Sequence, residues 1–428
     1  MKKVLIITYY WPPAGGPGVQ RVLKFVKYLP QFGWKPVVLT VKDGEYPAID
    51  KSLEKDIPTG IKVYEVKSWE PFSFYKKLSG KKGNIATDVL NKSKNDSIKS
   101  KVFRWIRANF FIPDARCGFI SAVKKEGLKI IESEKPDLIF SSSPPHSVQV
   151  GAKKLAEKSG LKWVADFRDP WTDGFWQKDL PKNKLTKWYD LKLEISVLRK
   201  ADHIISVSEP IIELLSSNIQ NNYFVIPNGF DEDDFIQLPE KSESENFKIT
   251  YAGSLRKSQI PYKFFDAISS LVKKEKIRNI ELNFIGSVHK DALEYIAGLS
   301  LLDIVQIKKY IPHNKLLEYL ISSDIALLLI PDTEDNAGIL TGKIFEYLRS
   351  ETYILGFGPA EGSAAKILEE TDSGAMFGYD ENPEDKILSL YSKWANGEKL
   401  LSNQKSIEKF SRKSLTAELV QVFNSTIG

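Results

Sequence analysis

Short apolar runs alternate with amphipathic stretches from one end of this 428-residue chain to the other, and that alternation constrains the fold more than any other feature. Runs at 4–8, 36–40, 138–141, 163–166 and 203–207 end in polar, Gly or Pro residues and read as buried strands. Helical spacing of apolar residues fills intervening stretches such as 19–31 and 147–158. The theme starts again at 248–252 and continues through 281–285, 305–308, 325–330 and 353–356, with helices predicted over 262–275, 315–322, 343–349 and 362–370. Such alternation predicts parallel sheets covered by helices on both faces, an α/β protein.

A chain of this length exceeds one ordinary core, so two domains are expected. The break falls after Pro227-Asn228-Gly229, where polar, acidic, turn-rich sequence precedes a fresh strand. The predicted organisation is a Rossmann-like domain over 1–230 with a basic-aromatic insertion at about 70–125, a linker at 231–247, a second Rossmann-like domain over 248–405, and a C-terminal helix within 406–428 placed to pack back on the first domain. The stretch 76–100 has few strong apolar positions and is expected to be mobile. Ligands of such sheets bind beyond the carboxyl ends of the strands, so a central cleft is expected and the residues just after strands are the informative ones.

With 42% hydrophobic and 27% charged residues the chain can build packed cores and is not of disordered composition. Cys117 is the sole cysteine, which excludes an internal disulfide and a Cys-rich zinc site and fits a reducing, cytoplasmic location. The apolar run at 4–8 is too short for a signal core, and no stretch nears the roughly 20 apolar residues of a membrane span. The net charge of +6 is unevenly spread: 76–129 holds 14 Lys or Arg against 4 Asp or Glu, with Phe103, Trp105, Phe110 and Phe111 among them. Two readings stand for this stretch, a solvated helical face or a surface that meets anionic lipid head groups as a peripheral contact. Nucleic acid is disfavoured because no recognition motif accompanies the charge.

Four clusters after predicted strands carry chemistry. Gly15, Gly16 and Gly18 lie between the first strand and its helix, where glycine lets backbone approach a ligand and a helix start favours an anion. The prolines and spacing are not those of a dinucleotide fingerprint, and a strained strand–helix turn is the other reading. Asp166-Phe-Arg168-Asp169-Pro-Trp171 gathers charges at a strand end, either as a site with Arg168 and Asp169 or as an internal ion pair. Gly253 with Arg256 and Lys257, and Gly286 after the next strand, could neutralise a diphosphate and present backbone to a base or ribose, or form a solvated basic loop.

The strongest cluster runs from Asn336 to Leu348. A loop containing Gly338 enters a helix whose start carries Thr341, Gly342 and Lys343, with Glu346 three residues on, so that Lys343 and Glu346 share a helix face. Free N–H groups, the helix dipole and an ammonium suit a diphosphate, and a carboxylate there can accept ribose hydroxyls. A capped helix with an i,i+3 ion pair is the alternative. His146, His203, His289 and His313 show no metal-ligand spacing and read as structural, His146 after Ser141-Ser-Ser-Pro-Pro145 being the one to test. No metal site is expected.

Taken together, the glycine-rich loop after strand one, DFRDPW at 166–171, ADHIISVSEP at 201–210, IPNGFD at 226–231, YAGSL at 251–255 and GKIFEYL at 342–348 resemble the GT-B glycosyltransferases of family 4, especially those that build bacterial surface polysaccharides. The resemblance implies the GT-B fold and a donor held mainly by the C-terminal domain, with Glu346 at the ribose. The family's upstream sugar-contacting glutamate corresponds to Gly338, its arginine after the YxG glycine to Ser254, its following lysine to Gln259, and its N-domain histidine to Arg168 within DFRDPW. Arg256, Lys257 and Lys343 are the residues left to compensate, and Arg168, Asp169 and Lys343 are the candidates for catalysis.

The function this implies is transfer of a sugar from a nucleoside-diphosphate sugar to a hydroxyl of a glycan or lipid-linked acceptor, with retention and with neither metal nor cofactor. Two rivals are a nucleotide-sugar epimerase of the same fold and a catalytically weak nucleotide-sugar-binding partner in an assembly complex.

Overall fold

The computed structural model describes residues 1–46, 48–69, 98–174, 177, 180–236, 238, 239, 241, 244–309, 311–401 and 407–428. Much of the expected basic insertion, 70–97, lies outside the described residues. The chain forms two compact units, Met1–Pro227 together with Arg412–Gly428, and Asn228–Ser411.

The first unit is built on seven parallel strands: β1 (Lys2–Thr8), β2 (Trp34–Lys42), β3 (Lys62–Lys67), β4 (Leu138–Ser143), β5 (Lys162–Phe167), β6 (His203–Ser206) and β7 (Tyr223–Val225), in the order β3-β2-β1-β4-β5-β6-β7. Side chains of a strand alternate between faces, and in β1 Leu5 and Ile7 enter one core while Val4 and Ile6 enter the other. A central strand with both faces buried must be apolar throughout, which is why it reads as an unbroken run. Its helices are α1 (Pro17–Tyr28), α2 (Ile98–Phe110), α3 (Gly118–Glu134), α4 (Ser147–Ser159), α5 (Lys184–Lys200) and α6 (Glu209–Ser216). The C-terminal helix Arg412–Ile427 completes this unit, setting Phe423 against Trp34 and Phe140 at ring distances of 5.2 and 5.5 Å.

The second unit has six parallel strands: β8 (Phe247–Ala252), β9 (Ile280–Ile285), β10 (Val305–Lys308), β11 (Ile325–Leu329), β12 (Tyr353–Phe357) and β13 (Gly374–Phe377), in the order β10-β9-β8-β11-β12-β13. Helices α7 (Tyr262–Lys273), α8 (Lys290–Gly298), α9 (His313–Ile321), α10 (Lys343–Arg349), α11 (Ser363–Thr371) and α12 (Glu384–Ala395) cover its faces. Phe230 and Phe235, at the polar stretch predicted as a boundary and linker, are buried in this unit's core with Phe410.

In both sheets the strand order reverses once, between β1 and β4 and between β8 and β11. Loops leaving the carboxyl ends of strands at such a reversal diverge to opposite faces and leave a crevice for a ligand. The glycine-rich loop and the 144–146 turn flank the first reversal; the Gly253 loop and the 330–342 loop flank the second.

Candidate functional site

In the second unit the loops at the reversal are tied together by their own backbone and by one side chain. The Asp332 amide donates to Ser258 O at 2.7 Å, while Gln259 Nε2 donates to Leu329 O at 3.1 Å. Gln259, aligned in sequence with a donor-binding lysine of the resembling family, serves here as a strut. β8 is followed by Gly253 with φ +127° and β9 by Gly286 with φ +133°, conformations that favour glycine. The Gly253 amide donates to Ile285 O at 2.7 Å, and a Cβ on Gly286 would collide with Gly253 O. Two strand ends therefore meet backbone to backbone.

Lys343 opens α10, and its ammonium comes to rest on that junction. The φ of Gly253 favours glycine there, and a Cβ added to it would meet Nζ and displace the end of the Lys343 side chain. Lys343 Nζ donates to the Tyr251 hydroxyl at 3.3 Å and lies 4.6 Å from its ring centroid, a cation–π arrangement. The Tyr251 hydroxyl donates onward to Ser254 O at 3.3 Å. Tyr347, four residues along α10, accepts from the Ala252 amide at 3.2 Å and so pins the helix to the end of β8. Burial, reinforced by Arg256 and opposed by Glu346, brings Lys343 down to about 8. Among the described residues no carboxylate lies within ion-pair distance of it.

The i,i+3 ion pair that sequence spacing allows is thus not formed. Glu346 Oε1 instead lies 3.0 Å from His313 Nε2, at the start of α9. Sequence reasoning reads His313 as structural. Its relation to Glu346 spans 33 positions and carries no spacing signal; the one local hint is its place at the first position of a helix leading out of β10.

The helix predicted to carry 341–343 at its start begins at Lys343. Gly342 is the N-cap and Thr341 precedes it, with its hydroxyl buried and lacking a hydrogen-bond partner among the described residues. Gly338 closes a short 3-10 turn, Asn336–Gly338, held by Asn336 Nδ2 donating to Pro331 O and to the Tyr379 hydroxyl at 2.9 and 2.8 Å. Arg256 stands near enough for its charge to add to the fall of Lys343 and to oppose the rise of Tyr251, which burial pushes up to about 12. Lys257, by contrast, is exposed and pairs with Asp291 at 2.9 Å. The site thus gathers Gly253, Gly286, Arg256, Lys343 and, one turn along α10, Glu346, while Lys257 spends its charge elsewhere.

In the first unit the DFRDPW charges serve the interior. Asp166 is buried and receives Arg21 Nη2 at 2.8 Å and the Ser142 hydroxyl at 2.6 Å, and Arg21 also donates to the carbonyls of Ile226 and Pro227. Asp166 belongs to that internal ion pair. Arg168 Nε donates to Ser143 O at 3.0 Å and Nη2 to Pro144 O at 2.5 Å, and its guanidinium fills the space where a Gly18 side chain would stand. Gly18 is therefore a packing glycine beneath which Arg168 fits. Gly16, with φ +102°, turns the chain into α1, and the Gly15 amide donates to Ala48 O at 2.9 Å. His146 stacks on Trp171 at 4.8 Å, and burial, aided by the charges of Lys182 and Arg168, pushes it down to about 3, so it is neutral at physiological pH. Burial raises the Asp169 carboxyl against the pull of Arg168.

The family model described as Glycosyltransferase Family 4 matches residues 85–234. No curated protein matches the chain. Among solved structures, the chain is similar to a glycosyltransferase from Rickettsia africae (TM-score 0.64, 16% identity, 100% of this chain and 98% of that one). It is similar to sucrose-phosphate synthase from Thermosynechococcus elongatus (0.64, 13%, 99% of each) and to the Anabaena protein HepE, solved with UDP and glucose (0.62, 13%, 99% and 100%). The chain has the GT-B fold, with parallel Rossmann-like sheets in both units, and its residues 85–234 match the family 4 model.

Proposed function

We propose that the chain transfers a glycosyl unit from a nucleoside-diphosphate sugar to an acceptor hydroxyl, with retention at the anomeric carbon and without a metal. The acceptor we assign is a lipid-linked glycan or polysaccharide precursor. The observation that carries the reading is Lys343: a half-buried side chain whose desolvated ammonium has no carboxylate within ion-pair distance among the described residues, set against the glycines that follow two strands at a topological reversal. A desolvated cation of this kind is costly unless an anion arrives to pair with it. A diphosphate supplies that anion. The likeness to a protein solved with UDP and glucose supports the same ligand class.

In this reading Lys343, Arg256 and the amides at the start of α10 neutralise the diphosphate, and Glu346, oriented by His313, accepts the ribose hydroxyls. As the glycosidic bond lengthens, negative charge grows on the leaving diphosphate, and cations already in place stabilise it without reorganising. A phosphate oxygen of the donor assists removal of the acceptor proton, so no separate protein base is needed. That suits a neutral, buried His146. Arg168 and Asp169 stand at the carboxyl end of β5 as candidates for the acceptor side.

The test is turnover on a panel of nucleoside-diphosphate sugars with membrane lipid extract as acceptor. Wild type is expected to release nucleoside diphosphate only when acceptor is present, and Glu346→Ala to lose that release. Interconversion of epimers from donor alone would replace transfer by epimerisation. Binding of donor with no turnover on any acceptor would make the chain a nucleotide-sugar-binding partner.

A further inference from the structure

The first two turns of α5 are inside out. Thr186, Asp190 and Glu194, spaced four apart, are its buried stripe, whereas Leu185, Trp188 and Tyr189 point to solvent at 72%, 56% and 47% exposure. Apolar residues at i, i+3 and i+4 make one helix face, and in a globular protein that face normally lies on the core. Here the polar face is the one held. Trp171 Nε1 donates to Asp190 Oδ1 at 2.9 Å, Lys182 pairs with Asp190, and the Thr172 hydroxyl donates to Glu194.

Helix α2 is built the same way and abuts the start of α5. It buries Ala108 and Asn109 and exposes Val102, Trp105, Ile106 and Phe110. Asn109 joins the two helices: its Oδ1 accepts from the Asn183 amide at 2.8 Å and the Thr186 hydroxyl at 2.9 Å, and its Nδ2 donates to Pro181 O at 2.9 Å and to Trp105 O at 2.8 Å. The exposed apolar side chains of both helices thus belong to neighbouring elements fixed at one buried asparagine. A patch of this kind on a soluble surface marks an interaction site.

Charge selects the partner. Lys101, Arg104, Lys184, Lys187 and Lys192 accompany the patch, with Lys192 Nζ 5.9 Å from the Trp188 ring centroid. Helix α2 contains no acidic residue, and over 184–192 the sole carboxylate is the buried Asp190. Tryptophan and tyrosine with leucine, accompanied by lysine and with no exposed carboxylate over α2 or 184–192, match the boundary between acyl chains and anionic head groups. No described helix is long and apolar enough to cross a membrane. We infer that α2 and the first two turns of α5 form one surface that lies on an anionic lipid bilayer, with α5 supplying half of the contact. This reading is independent of sugar transfer.

The test is co-sedimentation of the full chain with vesicles of phosphatidylcholine alone or mixed with phosphatidylglycerol, at low salt. Wild type is expected to pellet with the anionic vesicles only and to be released as salt is raised. The triple variant Leu185→Ser, Trp188→Ser, Tyr189→Ser, which leaves α2 intact, is expected to bind at least about tenfold more weakly. Lys184→Glu with Lys187→Glu is expected to lose binding in the same way, while Lys184→Arg with Lys187→Arg retains it. Each variant's fold is checked by its melting temperature and by the shift a nucleoside diphosphate gives it. Failure of wild type to bind, equal binding to neutral vesicles, or undiminished binding by a folded triple variant overturns the inference. A concentration-dependent dimer that the triple variant dissociates would assign the patch to a second copy of the chain and overturn it equally.

Discussion

The two topological reversals treat their cations in opposite ways. At the first, Arg21 is answered by the buried carboxylate of Asp166 and Arg168 by the carbonyls of Ser143 and Pro144. At the second, Lys343 is half-buried with a phenol and a glycine for neighbours, and its pKa falls to about 8. A cation with internal partners holds a fold together. A cation buried without a carboxylate partner stores an affinity for anions that a ligand can realise. The charge-rich motif of the first unit is thus chiefly architecture, and the sparser one of the second is, in the proposed function, a binding device.

The comparison can be broken by substitution. Asp166→Asn, which leaves Arg21 charged and without its carboxylate in the interior, is expected to cost about 3–5 kcal/mol of stability. Denaturant titration checks this, and nucleoside-diphosphate affinity measured well below the melting temperature should be unchanged. Gly253→Ala combines a φ of +127° with a collision against Lys343 Nζ. It is expected to cost about 1–3 kcal/mol and, unlike Asp166→Asn, to weaken nucleotide binding as well.

The pH dependence separates the two regions further. Free Lys343 titrates at about 8, and a bound diphosphate favours its charged form, so binding above that pH takes up a proton. Affinity is expected to hold below pH 8 and to fall by about tenfold per pH unit above it, a trend that Lys343→Arg removes. Calorimetry in buffers of different ionisation enthalpy counts the proton. The smallest effect is expected at His313. His313→Ala frees the Glu346 carboxylate from its partner at 3.0 Å and should weaken nucleoside binding by about 3–10-fold, with His313→Gln restoring part of it.

Much of this is legible in the sequence, and the reason is geometric. Buried parallel strands must be apolar on both faces, so β1, β4, β8 and β11 stand out as runs, and α10 occupies the predicted 343–349. Of the half-solvated edge strands, β10 is read from its sequence, whereas β3, β7 and β13 give no such signal, β3 reading Lys-Val-Tyr-Glu-Val-Lys. Lys343 and Glu346 are visible because a helix start brings its chemistry together locally. The pairing of Glu346 with His313, the use of Gln259 as a strut and the fit of Arg168 under Gly18 join positions far apart in the chain, and no local pattern encodes them. The outward faces of α2 and α5 are half visible. Basic-aromatic composition marks α2, whereas the apolar residues of α5 lie on more than one face, outward at Leu185, Trp188 and Tyr189 and inward at Val197 and Leu198, so no single stripe says which side faces the core.

The central claim is that Lys343 is an anion anchor rather than a structural lysine. Calorimetric titration of wild type and Lys343→Met with UDP, GDP and ADP, and with the matching nucleosides, tests it most directly. Wild type is expected to prefer one diphosphate over its nucleoside by about 100-fold or more, and Lys343→Met, still folded, to lose most of that preference while keeping its nucleoside affinity. A Lys343→Met protein that binds the diphosphate as tightly as wild type would contradict it.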